Sequence, residues 1–445
     1  MKLAIVTQRY GAEIRGGAEL HARYLAEHLA PHHDVEVVTT CARDYVTWAN
    51  DLPPGVDTVN GLTVRRFPVK RARDPRDFGR RSELVFARTH SVADELAWLD
   101  SEGPTSPALV RYLTASSDRF DFFVFFSYRY YHAWHGARAV PHRAVLVPTA
   151  ERDPAIALSI FAPLFRGVRA IMFNSFEERA MIRAVAGSDT LPGVVVGVGS
   201  DVPARVEPGR VRRKFALDGP FVVYVGRIDE NKGCKELFAY FGRYVWSRRS
   251  PLTLVLIGSP VLPIPSHPRI RHLGVLDDVD KFDVMAGAEA LIMPSQFESL
   301  SMVALEAWAL GRPVLANGGC DVLRGQCLRS NGGLYYESYE EFAETLHVLE
   351  ANRGLADALG DHGREYFRRH YSWPVIERKY LELLSRLAED DRQGRARGTM
   401  DPLPGWLARR RRGLPPARQV LDGLPSGPVI RAQRPAGRAA RRRPA

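Results

Sequence analysis

The sequence predicts two consecutive α/β domains, each built on a parallel sheet with helices on both faces. Three observations lead there. Apolar runs alternate with amphipathic stretches through the first half, the same alternation restarts after a Pro- and Arg-bearing stretch at 203–214, and 445 residues exceed what one hydrophobic core ordinarily supports.

Taken in order, KLAIVTQ at 2–8 reads as a buried strand, and 18–30 carries Leu20, Tyr24, Leu25 and Leu29 at helical spacing. Residues 35–40, 62–69, 122–127, 144–148, 170–174 and 194–198 are the further strands of a first Rossmann-like domain, 1–203. After the linker-like stretch, strands at 220–226, 252–258, 290–295, 313–317 and 333–336 make a second Rossmann-like domain, 204–372. A helix at 374–387, inside the segment 373–392, is expected to cross back onto the first domain. From 393 to 445, Pro, Gly and Arg dominate without apolar periodicity, which reads as a disordered tail.

The net charge of +11 has one source. The tail holds thirteen arginines and no lysine against Asp401 and Asp422, so residues 1–392 are balanced. That distribution argues against a nucleic-acid partner. The arginine clusters at 409–412 and 441–443 suit an anionic membrane surface, where each basic residue is worth ~1 kcal/mol, and equally suit a solvated tail. Nine Lys and Arg between Arg65 and Arg88, against Asp74, Asp77 and Glu83, suit a phosphate-bearing acceptor, such a membrane, or a solvated loop. Cys41, Cys234, Cys320 and Cys327 lack metal-ligand spacing and are expected to be reduced, structural thiols. No apolar run reaches the ~18 residues of a membrane span, and the N-terminus turns polar early, so a cytoplasmic protein is expected, either free or peripheral at the inner membrane face.

The most informative segment is ALIMPSQFESLSMVALEAWALGRPVLAN at 290–317. It reads as a strand ending at Pro294–Ser295, a loop carrying Glu298, and a helix starting near Ser299 with Ser299 and Ser301 as capping hydroxyls. The amides of Leu300, Ser301 and Met302 would then face an anion, as at many helix N-termini. Glu306 lies eight residues beyond Glu298, at most ~12 Å along a helix, which is about the span from a hexose across a diphosphate to a ribose. One carboxylate can take sugar hydroxyls while the other takes the ribose diol.

A second element follows the strand 220–226: Gly226-Arg227-Ile228-Asp229-Glu230-Asn231-Lys232-Gly233. Arg227 and Lys232, on a turn at the carboxyl edge of a sheet, can clamp a diphosphate and neutralise the leaving group in place of a metal ion. In the first domain, Gly16 and Gly17 open a helix and permit close approach of backbone to a phosphate or sugar. Asp277-Asp278-Val279-Asp280 has the carboxylate spacing of metal-dependent transferases, but Asp278 reads better as the N-cap of the following helix. The aromatic and basic run Tyr128-Arg129-Tyr130-Tyr131-His132-Ala133-Trp134-His135 offers either stacking faces for sugars or ordinary packing.

Together, Glu298-x7-Glu306 with its preceding Pro-Ser, Arg227…Lys232-Gly233 and the Gly16-Gly17 turn resemble glycosyltransferase family 4, over about residues 1 to 388. The resemblance implies the GT-B architecture of two Rossmann-like domains facing across a cleft, acceptor in the first and donor in the second. It further implies retention of anomeric configuration, no metal and no cofactor beyond the nucleotide sugar. Gly199 and Asp201 are expected at an interdomain strand end facing the donor, and Val275, in His272-Leu273-Gly274-Val275, beside the nucleotide base. One departure stands out: where many relatives carry a histidine, Pro148-Thr149-Ala150-Glu151-Arg152-Asp153-Pro154 has Glu151, which with Asp153 is a candidate for orienting acceptor or sugar. The expected activity is transfer of a hexose from a UDP- or GDP-sugar to a glycan or lipid-linked acceptor. A nucleotide-sugar epimerase or phosphorylase of similar architecture, and a non-catalytic partner protein that keeps the donor fold, are the alternatives.

Overall fold

The structure is a computed structural model and describes residues 1–14 and 16–395 together with 398, 400, 401 and 403. Residues Met1–Leu403 form one compact unit holding two sheets. The first sheet comprises β1 (Lys2–Val6), β2 (Asp34–Thr40), β3 (Gly55–Val59), β4 (Leu62–Phe67), β5 (Phe122–Phe126), β6 (Ala144–Val147), β7 (Ala170–Phe173) and β8 (Gly193–Val195), in the order β3-β4-β2-β1-β5-β6-β7-β8. Every pairing is parallel except the β3–β4 hairpin. The second comprises β9 (Phe221–Val225), β10 (Thr253–Ile257), β11 (Ile270–His272), β12 (Leu291–Met293), β13 (Val314–Asn317) and β14 (Gly333–Tyr336), all parallel, in the order β11-β10-β9-β12-β13-β14.

The central strands are continuous apolar runs because helices cover both faces. FFVFF of β5 and FVVYV of β9 are buried at every position, as a doubly covered parallel sheet requires. In both sheets the order reverses beside a central strand, and the carboxyl ends there carry the loops discussed below.

Several expectations shift. The 203–214 stretch is not wholly linker: Pro208–Lys214 is helical, with Pro at its first turn and Val211 buried. The strand expected at 194–198 is only Gly193–Val195, while β3 and β11 escaped sequence reading because both are short and mostly exposed or at an edge. The basic stretch between Arg65 and Arg88 is not an open loop; it supplies the end of β4 and the helix Pro75–Ala87, and Arg66 is buried against the Tyr10 carbonyl at 2.7 Å. The aromatic run after β5 serves packing first: Tyr128 and His132 are buried, and burial drives His132 down to about 3.

The last helix, Trp373–Arg392, returns to the first sheet's layer. Tyr380 meets His21 at 3.3 Å, Lys379 Nζ donates to the Val196 carbonyl at 3.0 Å, and Arg169 reaches Asp391 at 3.0 Å. Beyond it, Met400 and Leu403 pack on the first-domain core and Asp401 pairs with Arg166 at 2.6 Å, so contact with the body continues past residue 393. The disorder expected of the tail beyond Leu403, with both arginine clusters, lies outside the described residues. All four cysteines are free and buried. No helix among the described residues is long and apolar enough to cross a membrane.

Candidate active site

The loop after β12 turns sharply because Ser301 adopts φ 70° and caps the helix Met302–Ala309, its Oγ accepting from Ala304 N at 3.4 Å. The helix therefore begins at Met302 rather than near Ser299, and Leu300 and Ser301 precede it. Ser299 is not a cap; its Oγ accepts from the Asn174 side chain of the first domain at 3.4 Å. The loop is tied down from outside as well: Gln326 donates its side-chain amide to the Leu300 carbonyl, and Asn317 donates to Pro294 O at 3.1 Å.

The turn after β9 presses against this loop. Gly233 has φ 74°, and a Cβ there would stand 2.2 Å from Pro294 O, so only glycine permits the approach. The turn is pinned by Asp229, which accepts from Lys232 N at 2.8 Å and pairs with the Arg227 guanidinium. Lys232 Nζ then meets Glu298 Oε1 at 2.8 Å. Opposite charge from Glu298 and Glu151 raises the lysine's proton affinity against the cost of its desolvation, so it stays cationic. Arg227 also lies over the ring of first-domain Tyr45, 6.0 Å from its centroid.

Glu151 faces the same lysine from the first domain. Desolvation pushes its carboxyl up to about 7, with Lys232 opposing and Glu298 and Asp153 reinforcing. Asp153 is committed to structure: it accepts from Ala155 N and Ile156 N at 3.1 and 3.3 Å and pairs with Arg129. The loop bearing both is held by Glu178, a buried carboxylate accepting from Ala150 N at 2.6 Å and Asn174 N at 2.5 Å. A cavity of about 530 Å³ opens here, lined by Ala150, Arg152 and Glu178 from the first domain and by Gln296, Glu298, Asn317 and Asp321 from the second.

Glu306 does not share that cavity wall. It is 2% exposed, with Oε1 accepting from Lys281 Nζ at 3.1 Å and from Ser200 Oγ at 3.2 Å. The two carboxylates of the sequence pattern thus each hold a lysine, one at the cleft and one inside.

Other expected site residues turn to different partners. Gly16 makes room for Glu19, whose Oε2 lies 2.1 Å from where a Cβ would stand and which pairs with Arg9 at 2.7 Å; Gly17 faces open space. Gly199 is a glycine because Trp373 fills its side-chain position at 2.5 Å, and Asp201 turns to His28 Nε2 at 3.4 Å; neither lines the cavity beside Glu298. Val275 is exposed after Gly274, whose carbonyl accepts from Gly258 N at 2.8 Å. Asp277, not Asp278, caps the helix Asp278–Gly287, its carboxylate accepting from Asp280 N at 2.8 Å. Among the described residues no group of three or more His, Cys, Asp or Glu is arranged to hold a metal ion.

Sequence reading missed Glu178, Lys281, Ser200 and Tyr45. Glu178 sits three residues after Ser175, whose Oγ caps its helix, and such an acidic first turn reads as helix chemistry alone.

Residues 219–352 match the family of glycosyl transferases group 1. A lipopolysaccharide core biosynthesis glycosyltransferase of Rhizobium meliloti is 28% identical over 192 residues, 40% of this chain and 53% of the relative. The chain spans about half the length of the first curated relatives it matches. Among solved structures, a sucrose-phosphate synthase from Thermosynechococcus elongatus superposes with a TM-score of 0.63 at 17% identity, covering 87% of this chain and 99% of that one. The Anabaena protein HepE, solved in complex with UDP-glucose, superposes with a TM-score of 0.62 at 17% identity, covering 87% and 100%. Two parallel sheets whose carboxyl-end loops meet at one cavity give the chain the GT-B fold of these solved structures, and its second half, residues 219–352, is similar to the glycosyl transferases of group 1.

Proposed function

We propose that the protein is a retaining hexosyltransferase that moves a sugar from a UDP- or GDP-activated donor to a glycan or lipid-linked acceptor, without a metal ion or further cofactor. The observation that carries this reading is the Lys232–Glu298 pair at 2.8 Å, standing where loops from both sheets meet, with Glu151 facing it. On this reading Glu298 accepts hydrogen bonds from hexose hydroxyls, and Arg227 and Lys232 stabilise the charge that grows on the departing diphosphate. The amides of Leu300, Ser301 and Met302, at a helix start, receive the phosphates. Front-face attack lets a donor phosphate oxygen take the acceptor proton, so Glu151 orients a hydroxyl rather than replacing the family's histidine as a base. Domain 204–372 takes the donor and domain 1–203 the acceptor. UDP-glucose in the HepE structure supports a nucleotide-sugar donor. The arginines of 393–445 support attachment to an anionic inner membrane surface.

The test is turnover of UDP- and GDP-hexoses by the purified full chain, with chelator present and product anomers read by NMR. Nucleotide release that needs no acceptor, or an inverted anomer, would sink the reading.

A further inference from the structure

Glu306 stands on the helix Met302–Ala309 with its carboxylate unequally served. Oε1 takes Lys281 Nζ at 3.1 Å and Ser200 Oγ at 3.2 Å, while Oε2 is buried with no hydrogen-bond partner among the described residues. Lys281, on the helix Asp278–Gly287, also reaches Asp278 Oδ1 at 3.5 Å and lies over the Phe282 ring. Two acids, Glu306 and Asp278, thus share one lysine, and the charges of both, with that of Asp201, act on the Tyr24 phenol of the first domain.

We infer that Lys281 is a positioning residue that keeps the buried Glu306 ionised, leaving its open oxygen to receive the hydroxyls of the donor's ribose. This rests on the donor reading above. An unpartnered buried oxygen is costly unless a ligand fills it, and a vicinal diol brings two O–H donors. Burial, helped by Asp278, lifts the Glu306 carboxyl above its usual range, and Lys281 and Ser200 limit that rise. Removing the lysine leaves burial and Asp278 dominant, so the carboxyl takes up a proton at higher pH.

The experiment is calorimetric titration of the full chain with UDP and with GDP alone, from about pH 5.5 to about pH 8, beside thermal unfolding at each pH. The wild type is expected to bind one of them with affinity that is steady between about pH 7 and about pH 8. Lys281→Met should lose affinity about tenfold per pH unit below its new, higher carboxyl pKa and recover it as pH rises, and Lys281→Arg should restore the wild-type profile. Unfolding of Lys281→Met should move to lower temperature as pH rises, because an unpaired carboxylate then forms inside. Affinity in Lys281→Met that matches the wild type at every pH, or that falls equally at every pH, overturns the inference while leaving the donor reading intact. Absence of binding of either nucleotide to the wild type overturns both.

Discussion

Two loops meet at the cavity, and only one of them hangs on a buried acid. Each follows a central strand, β6 or β12, and each contains a non-glycine residue in the left-handed region, Thr149 at φ 47° and Ser301 at φ 70°. Such backbone costs of order ~1–3 kcal/mol and persists only where surroundings enforce it. The second-domain loop is enforced by neutral groups: the Ser301 hydroxyl, the Gln326 amide and the Asn317 amide. The first-domain loop is held by the Thr149 hydroxyl, which donates to Ser127 Oγ at 2.9 Å, by Asp153, and by a buried acid, Glu178, which reaches from the helix Phe176–Ala186 to Ala150 N in the loop and to Asn174 N beyond β7. Burial pushes that acid up to about 8. The loop bearing Glu151 is therefore tied to a titrating anchor and the loop bearing Glu298 is not.

Lys232 pairs with Glu298 on one loop and acts through its charge on Glu151 of the other, and its removal is the largest effect expected. Lys232→Met should cut turnover by about 10²–10³-fold, as loss of one transition-state charge partner does, with folding retained. A loss under tenfold would mean that the lysine serves the loops rather than the chemistry.

Next comes the anchor. Both Glu178 oxygens accept from N–H groups, so Glu178→Gln sets an amide donor against a backbone donor and should cost about 1–3 kcal/mol in unfolding. The sign with pH follows from the raised carboxyl: stability from the protonated form is full below the unfolded value and fades as pH rises through about 8. Glu178→Gln should flatten that decline, whereas a parallel slope in variant and wild type would assign the decline to other groups.

The smallest effect is at Glu151. With its carboxyl near 7, kcat/KM should rise as pH passes through that value when the ionised form orients a hydroxyl. Glu151→Gln should remove the inflection at a cost of about tenfold or less. An unchanged pH profile would remove Glu151 from the reaction.

Much of the second domain was legible in the chain itself. Continuous apolar runs of strand length, separated by helical periodicity, specify a parallel sheet through local pattern alone, and β9, β10, β12, β13 and β14 fall within two residues of their expected ends. The Lys232-Gly233 turn and the Glu298 loop announce themselves because a cation at a helix start and an acid between a strand and a helix need a ligand or each other. The first domain was harder, since β3 is exposed and β8 is three residues long.

Strand and helix identity, the neutral body and the two acids eight residues apart were thus contained in the order of residues, because periodicity and charge count are local quantities. Which lysine each acid would meet was not. Lys232 is 66 positions from Glu298, and Lys281 is 25 from Glu306. Sheet order and helix packing bring them together, and the same packing turns Gly199 to Trp373 and buries Glu178 beneath a loop 28 residues away. Burial and partner choice depend on where distant segments come to lie, so only the folded chain decides them.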